Sequence, residues 1–236
     1  MTRSAREALG WRPELDEAFA RAAPAGAAPM RVILAERGAW LVTDGQEELT
    51  AVVPGRLRHR SAARDLPVVG DWVAVRRAAG GATTIEAVVP RLSELARRDP
   101  DQKSEQVLVA NVDRALVVMG LDGDFNLRRL ERFLALLGGA GVAPAVVLSK
   151  ADLAGEATAA ERRREVEEAA PGVQVLATNL LDAGARDQVE PLLSPAATAV
   201  LLGSSGAGKS TLINRLLGEE VQRTAPVRSH DSRGRH

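Results

Sequence analysis

Cysteine is missing from all 236 residues, which excludes disulfides and thiolate zinc sites within the chain. Tyrosine is missing too, and three Phe and three Trp are the whole aromatic complement, so a core has to be filled mainly by Ala, Val and Leu. No apolar run approaches the roughly twenty residues that cross a bilayer. The first twenty residues carry Glu7, Glu14, Asp16 and Glu17 and no apolar signal core, unlike a secretory leader; a soluble, cytoplasmic chain without a membrane partner is expected. Charge of one sign is also lacking. Lys+Arg and Asp+Glu stand at 31 each, so net charge argues neither for nor against a polyanionic partner. The local distribution is less even: nine Arg face four acidic residues between 56 and 98, and four Arg face one Asp over 221–236.

The hydrophobic pattern divides the chain into three regions. Residues 1–30 hold a short helix candidate at 13–19, with Pro13 in the first turn and acidic residues near its positive end, then an Ala/Pro/Gly-rich linker over 22–29. A disordered arm is the other reading of this segment. From 31 to 98 the period is two. Short strand candidates at 32–34, 39–42, 49–53, 71–75 and 83–89 are separated by turn signals such as Asp44-Gly45, Pro54-Gly55 and Gly80-Gly81. Five short strands in under seventy residues fit a small all-β, OB-like barrel. From 104 to 236 buried-type strands (114–119, 143–148, 173–177, 198–202) alternate with helical spacing (126–137, 161–170, 209–217), the signature of an α/β parallel sheet. The run Glu161-Arg162-Arg163-Arg164-Glu165 reads as a solvated helix face.

One motif in the last region carries chemistry by itself. Gly203-Ser204-Ser205-Gly206-Ala207-Gly208-Lys209-Ser210-Thr211 matches the phosphate loop G-x-x-x-x-G-K-[S/T], with an apolar strand leading in and an amphipathic helix leading out. Glycines let the backbone curl so that its N–H groups and the helix N-terminus face a polyphosphate. Lys209 is placed to reach the β- and γ-phosphates and Ser210 to offer its hydroxyl to Mg²⁺. The alternative is a glycine-rich turn that binds nothing, and the Lys-Ser pair with both correct flanks argues against it.

A second motif selects a base. Ser149-Lys150-Ala151-Asp152 directly follows a buried strand and resembles the N-K-x-D sequence of GTPases. A carboxylate at Asp152 accepts from guanine N1–H and the exocyclic amine; adenine would leave that charge unpaired, at a cost of several kcal/mol. Lys150 lays its aliphatic stem along base and ribose. Ser149 replaces the usual Asn with a shorter group and fewer donors. Ala177-Thr178, after the third strand, stands where GTPases place backbone amides against guanine O6, although the local match is loose. The base-reading loop precedes the phosphate loop here, the reverse of ordinary GTPases. Both still fall at strand ends, where α/β sheets bind ligands whatever their connectivity, so the order reads as a circular permutation.

Barrel followed by permuted P-loop domain resembles the RsgA/YjeQ family of ribosome small-subunit-dependent GTPases. The resemblance rests on Pro67-Val68-Val69-Gly70-Asp71-Trp72-Val73, Gln106-Val107-Leu108-Val109-Ala110-Asn111-Val112-Asp113, residues 149–153 and 203–214, and Arg233-Gly234-Arg235-His236. It implies GTP/GDP and Mg²⁺ as ligands, GTP hydrolysis coupled to late maturation of the 30S ribosomal subunit, and rRNA contact by the barrel. A monomer is the expectation. Arg56, Arg58, Arg60 and Arg64 are the candidate phosphate contacts, a solvated loop being the bland reading; His59 carries no assigned role. His236 aligns with a His proposed to assist hydrolysis in the family. The family pattern continues past this point into a Thr run (switch I), D-T-P-G (switch II) and a Cys/His zinc domain, none of which is in these 236 residues. The expectation is therefore a truncated family member that keeps part of the nucleotide site, lacks the zinc site and hydrolyses GTP poorly. Two rivals stand beside it: an ABC-type ATPase fragment, whose Walker A the phosphate loop also resembles, and an RNA-binding module with a vestigial nucleotide site.

Overall fold

The computed structural model describes residues 4–36, 38–55, 63–78, 81–98 and 105–218. They form two compact units, Met1–Asp113 with Pro195–Thr198, and Arg114–Ser194 with Ala199–His236.

The first unit opens with two helices. α1 (Ala5–Ala8) starts at a capping box in which the Ser4 side chain and Glu7 satisfy each other's backbone N–H groups. α2 (Pro13–Ala22) begins at Pro13 as expected and extends three residues past the sequence reading. The segment read as a linker is shorter than expected, because β1 (Ala28–Glu36) already begins at Ala28. β2 (Ala39–Thr43), β3 (Glu48–Ala51), β4 (Trp72–Arg77) and β5 (Thr83–Val88) follow. Their order is β3-β2-β1-β4-β5, each pair antiparallel. A parallel bridge between Val52 and Thr84 joins the two edges, with the Val52 N–H donating to Thr83 and the Ile85 N–H to Val52. The sheet thus closes into the expected small barrel, and closure removes its exposed edges.

Inside lie Met30, Val32, Trp40, Val42, Ala51, Val73, Val75 and Ile85. On the outer side of β4, Trp72 packs with Leu15, Ala18 and Val89, flanked by Leu9, Trp11 and Phe19; Trp11 meets Trp72 edge-on at 4.8 Å. All three tryptophans therefore serve this unit. β6 (Glu94–Arg98) and β7 (Glu105–Ala110) form a separate antiparallel pair that the sequence pattern did not distinguish from the apolar run after it. What ends β7 is Asn111, at φ 53. Its side chain accepts from the Leu92 N–H and donates to the Gly70 carbonyl.

The second unit carries β8 (Arg114–Gly120), α3 (Leu127–Gly139), β9 (Ala143–Ser149), α4 (Ala151–Ala154), α5 (Glu156–Ala169), β10 (Gln174–Ala177), α6 (Ala185–Val189), β11 (Ala199–Leu202) and α7 (Lys209–Leu217). The sheet order is β10-β9-β8-β11, all parallel. Ala115 to Met119 and Ala145 to Leu148 are fully buried, the continuous apolar run of strands covered on both faces. Leu130 and Leu137 of α3 are buried on the expected face. Glu161, Arg163 and Arg164 of the charge run are exposed, while Arg162 pairs with Glu165 and lies over the Phe125 ring. No helix among the described residues is long and apolar enough to cross a membrane.

Candidate functional site

Four parallel strands put four C-terminal ends on one sheet edge. Each leads into a loop singled out above, or into one that sequence reasoning missed: 120–125 after β8, 149–152 after β9, 178–181 after β10 and 203–208 after β11.

The loop after β11 turns at Gly203, φ 151, where a Cβ would stand 2.3 Å from the Val118 carbonyl oxygen. Only glycine lets β11 run this close to β8. Gly208, at φ 99, caps α7. Between them Ala207 is fully buried, whereas Ser205 and Gly206 are exposed. The Lys209 ammonium turns back over its own loop and donates to the carbonyls of Gly203 (2.9 Å) and Ser204 (2.5 Å). Burial lowers the Lys209 pKa below its ordinary value, and the nearby Asp124 charge opposes that shift. Ser204 Oγ is buried and has no hydrogen-bond partner among the described residues. Ser210 and Thr211 lie in the first turn of α7, half-buried.

The loop after β9 is fastened to the phosphate loop directly. Ser149 is fully buried, and its hydroxyl donates to the Ala207 carbonyl at 2.6 Å. Lys150 takes the left-handed conformation at φ 60 and pairs with Asp122 from the loop after β8. Ala151 donates its N–H to the Thr178 carbonyl. Asp152 is exposed in the first turn of α4, and no described residue bonds to its carboxylate.

At the end of β10 one atomic expectation is corrected. The Thr178 N–H donates to the Leu148 carbonyl and its hydroxyl to Gln188, so that amide is committed within the sheet and does not face a ligand. Ala177 is the last residue of β10, paired with Leu148. The following turn is held from α7: Arg215 donates to the carbonyls of Leu180 (3.0 Å) and Leu181 (2.6 Å).

Asp122, Asp124, Gln188 and Arg215 are the contributors that sequence reasoning missed. The first two had a signal, Asp-Gly-Asp straight after a buried parallel strand. Gln188 and Arg215 had none, because each acts on a segment brought near only by folding.

The basic candidates divide differently. Arg64 pairs with both Glu94 and Glu105 within its own unit, its side chain 50% exposed. Arg56, Arg58 and Arg60 lie outside the described residues, as does His236.

Fold and loop arrangement together define a circularly permuted P-loop domain following an OB-type barrel. The RsgA GTPase family model matches residues 88–236. Among curated proteins, the small ribosomal subunit biogenesis GTPase RsgA of Opitutus terrae is 45% identical over 240 residues, covering 97% of this chain and 65% of its own length. The protein of the same name from Xylella fastidiosa is 38% identical over 238 residues, covering 98% and 68%. Among solved structures, YjeQ from Thermotoga maritima superposes with a TM-score of 0.65 at 22% identity, over 80% of this chain and 65% of that one. YloQ, described as a circularly permuted GTPase, does so at 0.59 and 24%, over 80% and 64%. The chain belongs to the RsgA GTPase family. It spans 65% and 64% of the first two curated relatives, those of Opitutus terrae and Syntrophotalea carbinolica.

Proposed function

We propose that this chain binds guanine nucleotides at the edge formed by 149–152 and 203–211, as a GTPase of small ribosomal subunit biogenesis, the activity its relatives' names carry. The observation that supports the reading most directly is the bond from Ser149 Oγ to the Ala207 carbonyl, which joins the two loops read as base-selecting and phosphate-binding.

The residues fit a polyphosphate. Lys209 is held on carbonyls of its own loop, weak partners that a phosphate would replace with a full charge. Ser204 Oγ lacks a partner among the described residues, and the first N–H groups of α7 are orphans of the kind that bind anions. Asp152, whose carboxylate no described residue engages, can accept from the guanine edge. Mg²⁺ would be held by the Ser210 hydroxyl together with phosphate oxygens, and when bound it neutralises charge developing on the transferred phosphoryl group. Ser149 and Arg215 orient the two loops; Lys150 covers the base, and Ala177 ends the strand beside it.

The partner proposed is the 30S subunit in the cytoplasm, met by a monomer, with Arg56, Arg58 and Arg60 rather than Arg64 supplying phosphate contacts. An ATP site is disfavoured by Asp152, which adenine would leave unpaired. Calorimetric titration of the chain with GDP and with ADP, each with Mg²⁺, tests the reading. GDP binding at least a hundredfold tighter than ADP is expected; equal affinities would sink it.

A further inference from the structure

We propose that Ser149 is a positioning residue that clips the base-side loop to the phosphate loop and donates nothing to the base, so that the site reads the N1 and 2-amino edge of guanine and ignores N7. This rests on the guanine-nucleotide reading above and deepens it.

A serine hydroxyl has one proton to give. Here it goes to the Ala207 carbonyl at 2.6 Å; the other oxygen in range, Met119 O, is at 3.4 Å and too distant to compete. Both Ser149 and Ala207 have no exposed surface. Withdrawing the proton would strand a buried acceptor, so a ligand has no means of recruiting it. The two loops are also in direct contact. A Cβ placed on Gly208 would lie 3.4 Å from Ser149 Oγ and 3.6 Å from its Cβ, which leaves no room for a bridging group between them.

Guanine N7 is an acceptor only. What Ser149 has left after serving Ala207 is lone pairs, which cannot satisfy an acceptor. Asp152 is the reverse case, an exposed carboxylate that no described residue engages. The donor-bearing edge of guanine thus finds a free acceptor, while N7 finds no donor on Ser149. A chain with Asn at this position would have two amide protons and could serve the carbonyl and the base together; this chain has one and uses it inward.

Displacement of a fluorescent GDP analogue from the full 236-residue chain tests this, with GDP, 7-deaza-GDP (N7 replaced by C–H) and IDP (no 2-amino group) as competitors. Expected is 7-deaza-GDP within about twofold of GDP, and IDP weaker by about tenfold or more. If 7-deaza-GDP is tenfold weaker than GDP while IDP is also weak, guanine recognition stands and the role given to Ser149 falls. If GDP does not bind, or IDP equals GDP, the guanine reading itself fails and takes the inference with it. Ser149→Ala supplies a second measurement. It should weaken GDP and 7-deaza-GDP by the same factor, about tenfold, keeping their ratio near one, and Ser149→Thr, which retains the hydroxyl, should recover most of the loss. A ratio that moves in Ser149→Ala would show that the hydroxyl touches the base and overturn the proposal.

Discussion

Lys150 and Asp122 form an ion pair across two loops of the same sheet edge, with side chains only 19% and 22% exposed. Lys150 leaves its strand in a left-handed conformation, so its backbone points the long side chain over the site and Asp122 fixes where the ammonium lands. A pair this sheltered is worth more than a fully exposed one, though desolvation keeps it to about 1 kcal/mol. Asp122→Ala should therefore weaken GDP binding by about threefold to tenfold, with Asp122→Glu intermediate. Fluorescence titration checks this; unchanged affinity in Asp122→Ala would show that the pair does not orient Lys150.

If Lys209 holds the phosphates as proposed, nucleotide affinity should depend on pH. Burial lowers its pKa from the ordinary 10.5. The unfolded chain then holds this proton more tightly than the folded one, so the charged form opposes folding, and that penalty fades as pH rises past the folded value. A bound polyphosphate has the opposite preference and favours the charged lysine. GDP affinity should accordingly be fully present at low pH and decline as pH rises, with the decline beginning earlier than for an unperturbed lysine. Titrations from neutral to alkaline pH, repeated with Lys209→Arg, check this: the arginine variant stays charged and should lack that limb.

On the proposed reading, base choice depends on Asp152. Its carboxylate is exposed and unengaged by described residues, ready to accept two hydrogen bonds from guanine. Asp152→Asn exchanges one acceptor for a donor. GDP affinity should fall by about a hundredfold, since hydrogen bonds to a charged group are worth about 1.5–3 kcal/mol. Xanthosine diphosphate, which offers a carbonyl in place of the 2-amino group, should gain. Competition binding with both nucleotides measures the exchange, and a variant that keeps its preference for GDP would remove Asp152 from base recognition.

How much of this was legible beforehand depends on the range of the interaction. The phosphate loop and its flanking elements appear in sequence because their demands fall on the local backbone: Gly203 and Gly208 take positive φ, and each leaves a glycine at a fixed spacing. The barrel strands were legible from alternation, as at Val32 and Val42, which point inward. The β6–β7 pair was not, because β7 runs into β8 with only Asn111-Val112-Asp113 between them, and the left-handed turn at Asn111 has no glycine to mark it. The pairing of Arg64 is hidden for a related reason: its partners Glu94 and Glu105 are 30 and 41 residues away. Thr178 was placed at the correct strand end, and only the register of β10 against β9 reveals that its amide is already bonded.

Asp71 and Arg91 test the barrel rather than the site. Asp71 is fully buried and Arg91 nearly so, and they meet in a two-pronged pair, Nε to Oδ1 at 2.8 Å and Nη2 to Oδ2 at 2.9 Å. Asp71 also accepts from the Val68 N–H, and Arg91 donates onward to the carbonyls of Leu66 and Arg64. The pair thereby anchors the irregular segment before β4, where four other polar groups, the Arg64 guanidinium and carbonyl, the Leu66 carbonyl and the Val68 N–H, bond to it or to Glu94. Removing one partner leaves the other as an uncompensated charge, at about 3–5 kcal/mol. Arg91→Met should lower the unfolding midpoint by on the order of 10 °C, and the double variant Asp71→Asn/Arg91→Met should recover part of that loss because no buried charge remains. Thermal denaturation of wild type, single and double variants decides it. A double variant less stable than Arg91→Met alone would mean that Asp71 contributes through its backbone anchor at Val68 more than through its charge.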